Sequence, residues 1–188
     1  METLEAIKNR RSIRKFKNEP VDDKTLEILL DAARLAPSWA NTQCWKFVVI
    51  RNGEIRSKIA EKLAVHGSSG NNPAANGIKA APVLIIACAE KDVAGFSQGK
   101  PSTDKGNSWY MFDLGLAMEN LVLAATSLGL GTVHVGLFDA AQVAEIIGVP
   151  ASHVVVSMTP VGYPEYLPSP RPRKELSEIV FHETFGHK

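Results

Sequence analysis

Residues 109–128 read WYMFDLGLAMENLVLAATSL, and this stretch places the tightest constraint on the fold. At the helical repeat of 3.6 residues, Met111, Leu114 and Met118 fall on one side and Leu116 on another. A helix that is apolar almost all round is normally buried, either between the layers of a domain or against a second subunit. In a chain of 188 residues, this pattern favours a homodimer.

The composition indicates one globular domain spanning residues 1–188, with 45% hydrophobic and 22% charged residues. A net charge of +1 provides no overall field for nucleic acid, so we expect no nucleic-acid partner. Asp113, Glu119 and Asn120 interrupt the most apolar segment, which argues against a membrane span. With two cysteines and no apolar N-terminal run, the expected location is cytoplasmic.

Strand and helix patterns surround the central helix without regular alternation. Residues 83–89 are continuously apolar and predict an interior strand, and residues 47–50 and 153–158 predict two more. Residues 22–36 and 139–148 carry the caps and spacing of helices. Residues 55–63 predict a helix that ends near Gly67, a loop should follow over 68–77, and residues 91–107 predict a mobile connection. This order favours an α+β fold over a doubly wound parallel sheet.

A cluster of cations and one hydroxyl follows the predicted N-terminal helix, in the sequence Arg10-Arg11-Ser12-Ile13-Arg14-Lys15. Guanidinium groups fork onto phosphate oxygens with charge-assisted hydrogen bonds, and a serine can donate one more. The cluster is therefore a candidate phosphate site. The alternative interpretation is a solvated basic turn at the surface.

Several other kinds of site are excluded by spacing. Gly129-Leu130-Gly131 follows a helix and lacks the third small residue of a dinucleotide fingerprint. His182 and His187 are one residue too far apart to face a single zinc ion, so no metal site is expected. No nucleophile elbow or phosphate-gripping loop is present. If the chain is an enzyme, a bound cofactor should carry the chemistry.

Four motifs in order resemble the nitroreductase family of FMN-dependent oxidoreductases. They are Arg10-Arg11-Ser12-Ile13-Arg14, Ala36-Pro37-Ser38-Trp39-Ala40-Asn41-Thr42-Gln43, Leu128-Gly129-Leu130-Gly131-Thr132, and Val161-Gly162-Tyr163-Pro164 with Arg171 and Arg173. The resemblance implies a central mostly antiparallel or mixed sheet flanked by helices. It also implies a homodimer that swaps terminal segments and holds two FMN molecules at the subunit interface.

The resemblance assigns cofactor contacts residue by residue. The phosphate and ribityl ligands would be Arg10, Arg11, Ser12 and Arg14, with Arg171 and Arg173 from the C-terminal segment. The loop that meets the flavin from the partner would contain Pro37, Ser38, Trp39, Asn41 and Gln43. The backbone along the flavin ring would be Val135 and Gly136 beside His134, and His134 is also a possible auxiliary acid. No other catalytic side chain is expected, because the flavin does the chemistry.

The implied activity is a two-step hydride transfer, in which NADH or NADPH reduces FMN and a nitroaromatic or quinone-type acceptor reoxidises it. Dehalogenation, enone reduction or flavin breakdown on the same scaffold remain alternatives, as does a non-catalytic flavin-binding protein. Two places depart from the family pattern. Cys44 stands where many members have proline, and residues 65–80 align with no clear counterpart.

Overall fold

A computed structural model describes residues 1–63 and 72–187 of the chain. The helices are α1 (Thr3–Asn9), α2 (Asp23–Arg34), α3 (Gly53–Ala60), α4 (Pro73–Ala80), α5 (Trp109–Ser127), α6 (Ala140–Ile147) and α7 (Leu176–Ile179). The strands are β1 (Trp45–Ile50), β2 (Val83–Glu90), β3 (Phe96–Ser97), β4 (Lys100–Pro101), β5 (Gly131–Thr132) and β6 (His153–Gly162).

Four strands form one antiparallel sheet in the order β1-β2-β6-β5, which confirms the α+β class. The sheet lies between two helical layers because β2 alternates its side chains between two cores. Val83 and Ile85 pack in the core that α2 and α5 cover. Leu84 and Ile86 pack in the core that α3, α4 and α6 cover. A strand covered on both faces needs apolar residues at every position, which explains the continuous run at 83–89.

Side-chain caps fix the ends of two helices that the sequence predicts. The Asp22 carboxylate accepts a hydrogen bond from the Thr25 N–H at 2.8 Å and starts α2. Asp139 accepts from the Gln142 N–H at 3.0 Å and starts α6, which ends at Gly148 with φ of 69°. These contacts satisfy helix-terminal groups that would otherwise lack partners, so both helix boundaries are confirmed.

One loop prediction is wrong in part, and a second is not tested. Part of the predicted loop over 68–77 is the first half of α4, which Asn72 caps by accepting from the Ala74 N–H at 3.0 Å. The connection over 91–107 contains the β3–β4 hairpin and the start of a short 3-10 turn, and its mobility stays a prediction. The predicted helix end near Gly67 lies outside the described residues.

Helix α5 is buried on one face only within a single chain. Leu114, Met118 and Leu121 are almost completely buried in the core, whereas Met111 and Phe112 are 52% and 59% exposed. The second apolar face therefore remains open in the isolated chain. Among the described residues, no helix has the length and apolar character that crossing a membrane requires.

Candidate functional site

The basic segment after α1 is attached to the end of the sheet by backbone hydrogen bonds. The Ile13 N–H donates to the Thr132 carbonyl at 2.8 Å, and the Lys17 N–H donates to the Tyr163 carbonyl at 2.9 Å. The Ile13 side chain is buried and lies so close to Gly131 that a Cβ there would come within 2.7 Å of it. Glycine at 131 therefore permits the close approach that fixes the arginines beside β5.

The basic segment and the proline-rich C-terminal segment face each other across a cleft of about 440 Å³. The predicted phosphate ligands that line it are Arg10, Arg11, Ser12, Arg14, Arg171 and Arg173. The two ends of the chain thus bring five guanidinium groups to one cleft. A cluster of this kind suits an anion with several oxygens, because each planar guanidinium can donate two parallel hydrogen bonds.

A second cleft, of about 450 Å³, shares Arg14 and Arg171 with the first. Its other walls include the N-terminus of α4 at Asn72 and Pro73, and the predicted flavin-facing residues His134, Val135 and Gly136. The structure therefore places the predicted phosphate ligands and the predicted ring contacts on either side of Arg14. Asn72 and Pro73 were not predicted as site residues, although Asn-Pro is a recognised helix-start signal.

The cations of the first cleft are mostly not neutralised by acids. Within residues 1–63 and 72–187, the one carboxylate in ion-pair range is that of Glu119, with Oε1 at 3.9 Å from Arg10 Nε. Arg11 instead donates to the Lys8 and Arg10 carbonyls at 2.6 and 2.8 Å. Arg14 has a long contact of 3.4 Å with the Ser12 carbonyl. The cleft therefore retains positive charge that an anionic ligand can balance.

His134 lies beside the second cleft and contacts two side chains. Its Nε2 is 3.7 Å from Glu119 Oε2, and its Nδ1 is 3.4 Å from the buried Thr159 hydroxyl. Burial lowers the pKa of His134, and the Arg10 cation lowers it further, although Glu119 opposes both effects. A lowered pKa favours the neutral imidazole at pH 7. A neutral ring can pack against a ligand without adding charge.

At the predicted ring contact, the Val135 N–H is already engaged in a hydrogen bond. The Val135 N–H donates to the Met158 carbonyl at 2.9 Å, and the Met158 N–H donates back at 3.1 Å. Gly136 is exposed, and a Cβ built on it would have no atom within 4 Å. The Gly136 N–H donates to no acceptor among the described residues, so of the two predicted backbone contacts it is the one that can donate to a ligand.

The loop over 37–43 does not join the arginine clefts of its own chain. It turns sharply, with positive φ at Ala40, Asn41 and Gln43 (42°, 57° and 49°). Ser38 Oγ accepts from the Gln43 N–H at 3.0 Å, and the Gln43 amide donates to Asn41 Oδ1 at 3.2 Å. The predicted loop contacts are therefore grouped in one turn, and none of them lines either arginine cleft: Pro37, Ser38, Trp39, Asn41 and Gln43.

Two residues support this loop, and one of them is Cys44. Cys44 is 1% exposed. Burial and the neighbouring charge of Asp113 raise the pKa of its thiol to about 11. A thiol with that pKa stays protonated at neutral pH and is a weak nucleophile. The departure from the family's usual proline therefore places an unreactive core thiol here. The second support is Asp113 on α5, which accepts a hydrogen bond from the Trp39 N–H. The sequence did not predict this role, because Asp113 stood out only as a polar residue that interrupts an apolar helix.

Comparison with known families assigns the fold and site to one of them. The Nitroreductase family matches residues 7–163. The chain belongs to the nitroreductase family. A relative from Methanothermobacter thermautotrophicus, provisionally named NADH dehydrogenase/NAD(P)H nitroreductase, is 35% identical, and the alignment covers 91% of this chain and 82% of the relative. Membership and the names of the relatives place the chain among oxidoreductase enzymes.

Solved structures of the family share the architecture. A nitroreductase family protein from Clostridium novyi NT is 31% identical with a TM-score of 0.77, covering all of this chain and 96% of that one. An NADPH:FMN oxidoreductase from Vibrio harveyi, solved with NAD+, is 25% identical with a TM-score of 0.82, covering 99% and 79%. The antiparallel sheet flanked by helices is therefore the nitroreductase fold.

The family also contains enzymes named for other reactions. A 5,6-dimethylbenzimidazole synthase from Rhodospirillum rubrum is 29% identical over 95% of this chain and 88% of its own. An iodotyrosine deiodinase from Nematostella vectensis is 28% identical over 95% and 74%. Family membership alone therefore does not select the acceptor substrate.

Proposed function

We propose that the chain is an FMN-dependent NAD(P)H oxidoreductase, and that residues 1–188 form one FMN-binding domain. The observation that carries the proposal is the convergence of Arg10, Arg11 and Arg14 with Arg171 and Arg173 on one cleft. Only Arg10 in this group has a carboxylate in ion-pair range among the described residues. FMN ends in a phosphate with a charge near −2, and a cleft with surplus guanidinium groups suits that group.

The donor set of the two clefts fits the rest of FMN as well. Arg14 and Arg171 line both clefts, so a phosphate held between them leaves the second cleft for the ring system. There the Gly136 N–H can donate to a ring heteroatom, and a neutral His134 can pack beside it. When bound, FMN would supply the hydride and electron chemistry that no side chain of this chain provides.

The protein's contribution to the reaction is to bind, orient and tune the flavin. The arginines would hold the phosphate end of FMN and so restrict where its ring can lie in the second cleft. The surplus positive charge favours any state of the ligand that carries more negative charge. The proposed reaction does not require a general acid from His134, whose lowered pKa disfavours the imidazolium form at neutral pH.

The active assembly that we propose is a homodimer with exchanged terminal segments. The open face of α5 exposes Met111 and Phe112, and the C-terminal segment exposes Leu176, Ile179 and Phe185 (73%, 56% and 95%). Large apolar side chains left exposed on two elements indicate an interaction surface. In the described part of the chain, β1 also pairs on one side only. A second copy would cover these surfaces and bring its loop over 37–43 towards the arginine clefts.

For the electron acceptor we propose a nitroaromatic or quinone-type molecule, with NADH or NADPH as the donor. Dehalogenation is a second candidate, because a deiodinase is among the relatives that span most of the chain. A 5,6-dimethylbenzimidazole synthase is among them as well, so formation of a benzimidazole is a third candidate. The expected cytoplasmic location remains a prediction.

The test is the visible spectrum of purified protein under anaerobic conditions. We expect a flavin spectrum that bleaches when NADH or NADPH is added and returns when a nitroaromatic or quinone follows. Identification of the products with each acceptor class separates nitro or quinone reduction from dehalogenation. A bound flavin that neither nucleotide bleaches would support flavin storage, and protein that takes up no FMN would contradict the proposal.

A further inference from the structure

Asp113 is the one charged residue in the described part of the chain that is buried, at 1% exposure. It lies on α5 next to Leu114, within a helix whose buried positions are otherwise filled by apolar side chains. Burying a carboxylate costs several kcal/mol unless hydrogen bonds compensate. Because an apolar residue would suit the core better at this position, packing does not explain the aspartate.

The hydrogen bonds of Asp113 lead to the 37–43 loop. The Trp39 N–H donates to both carboxylate oxygens, at 3.1 and 3.0 Å. The Cys44 thiol lies 4.0 Å from Oδ2, where a protonated sulfur can donate weakly. No cation among the described residues pairs with this carboxylate in an ion pair. The loop and the residue that follows it therefore supply the compensation for burying the charge.

The loop in turn needs a contact from outside itself. Ala40, Asn41 and Gln43 all have positive φ, which costs non-glycine residues free energy and persists only when the surroundings enforce it. The Thr42 hydroxyl is buried without a hydrogen-bond partner in the described structure. The Trp39 N–H stands at the start of this turn, so its bond to Asp113 fixes the turn to α5.

Asp113 also sets where the Trp39 side chain lies. The Trp39 indole packs against Trp109, one helical turn before Asp113, with ring centroids 4.7 Å apart. The Trp109 indole N–H donates to the Thr103 hydroxyl at 2.7 Å, which holds the second ring in place. The backbone bond to Asp113 and the ring contact with Trp109 together restrain Trp39 at two points.

We propose that Asp113 is a positioning residue that holds the 37–43 loop in its flavin-binding conformation through the Trp39 N–H. The proposal rests on the proposed function for the loop's role towards FMN, whereas the restraint on the loop itself does not. Asp113 acts through the loop and contacts no reacting atom. Its buried charge reduces stability in return for a charge-assisted bond where the Trp39 backbone meets α5.

The experiment compares Asp113→Leu and Asp113→Asn with the unchanged chain. Hydrogen exchange at the Trp39 amide is measured in protein stripped of flavin, and FMN affinity is measured by titration. We expect Asp113→Leu to speed Trp39 exchange relative to amides in the middle of α5, and to weaken FMN binding about 10- to 100-fold. Asp113→Asn should stay within about fivefold for FMN, because the amide oxygen still accepts from Trp39.

The matched control is Leu114→Ala, which damages the same helix and core without touching the loop. It should lower the melting temperature but leave Trp39 exchange and FMN affinity unchanged. If Asp113→Leu does not fold, Asp113→Ala replaces it, since the smaller side chain lets water reach the site. Normal Trp39 protection in the Leu or Ala variant, or equal loss of FMN affinity in Leu114→Ala, would overturn the proposal.

The two proposals fail in different ways. If the unchanged chain does not bind FMN, the proposed function fails, yet faster Trp39 exchange in Asp113→Leu would still support the restraint on the loop. If the unchanged chain binds FMN and the variants leave both Trp39 exchange and FMN affinity intact, the positioning role fails and the function stands.

Discussion

Arg14 connects the two halves of the candidate site, because its guanidinium lines both clefts and its backbone lies against α4. Its only hydrogen bond within the described residues is the long one to the Ser12 carbonyl. A guanidinium with so few internal partners contributes little to folding. Its contribution should therefore appear when an anion binds.

We expect Arg14→Ala to weaken FMN binding about 10- to 150-fold, the range for one charged hydrogen-bond pair of 1.5–3 kcal/mol. The FMN affinity of Arg14→Lys should lie between those of the unchanged chain and Arg14→Ala, since lysine keeps the charge but cannot donate two parallel hydrogen bonds. Flavin titration measures the affinity, and thermal unfolding without flavin measures the stability. Lys58→Ala, which removes an exposed cation on α3, is the control and should change neither. A lowered melting temperature together with unchanged FMN affinity in Arg14→Ala would refute this role.

The pH dependence of stability should report the burial of Asp113. Burial raises the pKa of this carboxyl above its usual 3.8, although the Trp39 N–H opposes the shift. The folded state then binds the proton more tightly than the unfolded state. Ionisation of Asp113 therefore lowers the free energy of unfolding. The loss is absent below the pKa that the carboxyl has in the unfolded chain and complete above the pKa that it has in the folded chain.

We thus expect the stability of Asp113→Asn relative to the unchanged chain to increase as pH rises from about 4 towards neutral. Urea unfolding of both proteins across this range measures the difference, in which other titrating groups cancel. A difference that is constant, or that shrinks with rising pH, would contradict the burial of an ionised carboxylate. The result also separates stability from function, since the same variant should not improve FMN binding.

For single residues, the sequence predicts those whose chemistry is evident from their type and motif. The arginines of the first cleft were expected from a basic motif and a family resemblance, and the structure brings them together. Asp113 was not expected, because its partner Trp39 is 74 positions away and the helix pattern alone shows only an interruption. Contacts between distant residues depend on packing that a single sequence does not display.

Helix α4 is the element that sequence reasoning missed, and it forms a wall of the site. Its residues include Asn76 and Gly77, which are poor helix formers, so the composition suggested a loop. Packing of Ala74 and Ile78 into the core overrides that preference. The Asn72-Pro73 pair was the available signal, because asparagine at the cap and proline at the first position favour a helix start.

Gly77 allows α4 to pack directly on the backbone of Arg14. A Cβ at this position would lie 3.1 Å from the Arg14 carbonyl oxygen, which as backbone has little freedom to move. We expect Gly77→Ala to destabilise the protein and weaken FMN binding, although alanine normally stabilises a helix by up to about 1 kcal/mol. Chemical unfolding and flavin titration measure both effects.

Gly53→Ala in α3 is the matched control for this change. The nearest atom to a Cβ there is Arg56 Nη2 at 3.7 Å, an ordinary contact on a flexible side chain. Its stability should stay the same or rise, and its FMN affinity should not change. If the two substitutions behave alike, the close approach of α4 to Arg14 is not what the glycine provides.

The assembly is the property of the whole molecule on which the proposed site depends. The loop over 37–43 lies away from the arginine clefts of its own chain, so a second copy must supply it if it is to contact flavin. The fold of one chain could be predicted from strand and helix patterns, because they encode burial. The homodimer was predicted from the all-round apolar pattern of residues 109–128 and from the family resemblance, and the apolar surface left open on α5 and the C-terminal segment supports it.

We expect the purified chain to sediment as a dimer, with twice the 20.4 kDa mass of one chain. Ile179→Asp should shift it to monomer and release flavin, because a charge would have to be buried at the interface. Ser177→Asp, a neighbouring exposed position on α7, is the control and should remain dimeric. Analytical ultracentrifugation measures the oligomeric state of each protein. If the unchanged chain is a monomer and still binds flavin fully, the site is not shared between two copies.

The most direct test of the phosphate site is a titration of flavin-free protein with FMN and with riboflavin, which lacks the phosphate. The convergence of arginines predicts that FMN binds more tightly by about 100-fold or more, and that Arg14→Ala reduces this ratio. Equal affinity for the two flavins would contradict the account, because the cleft between the two ends of the chain would then not be holding a phosphate.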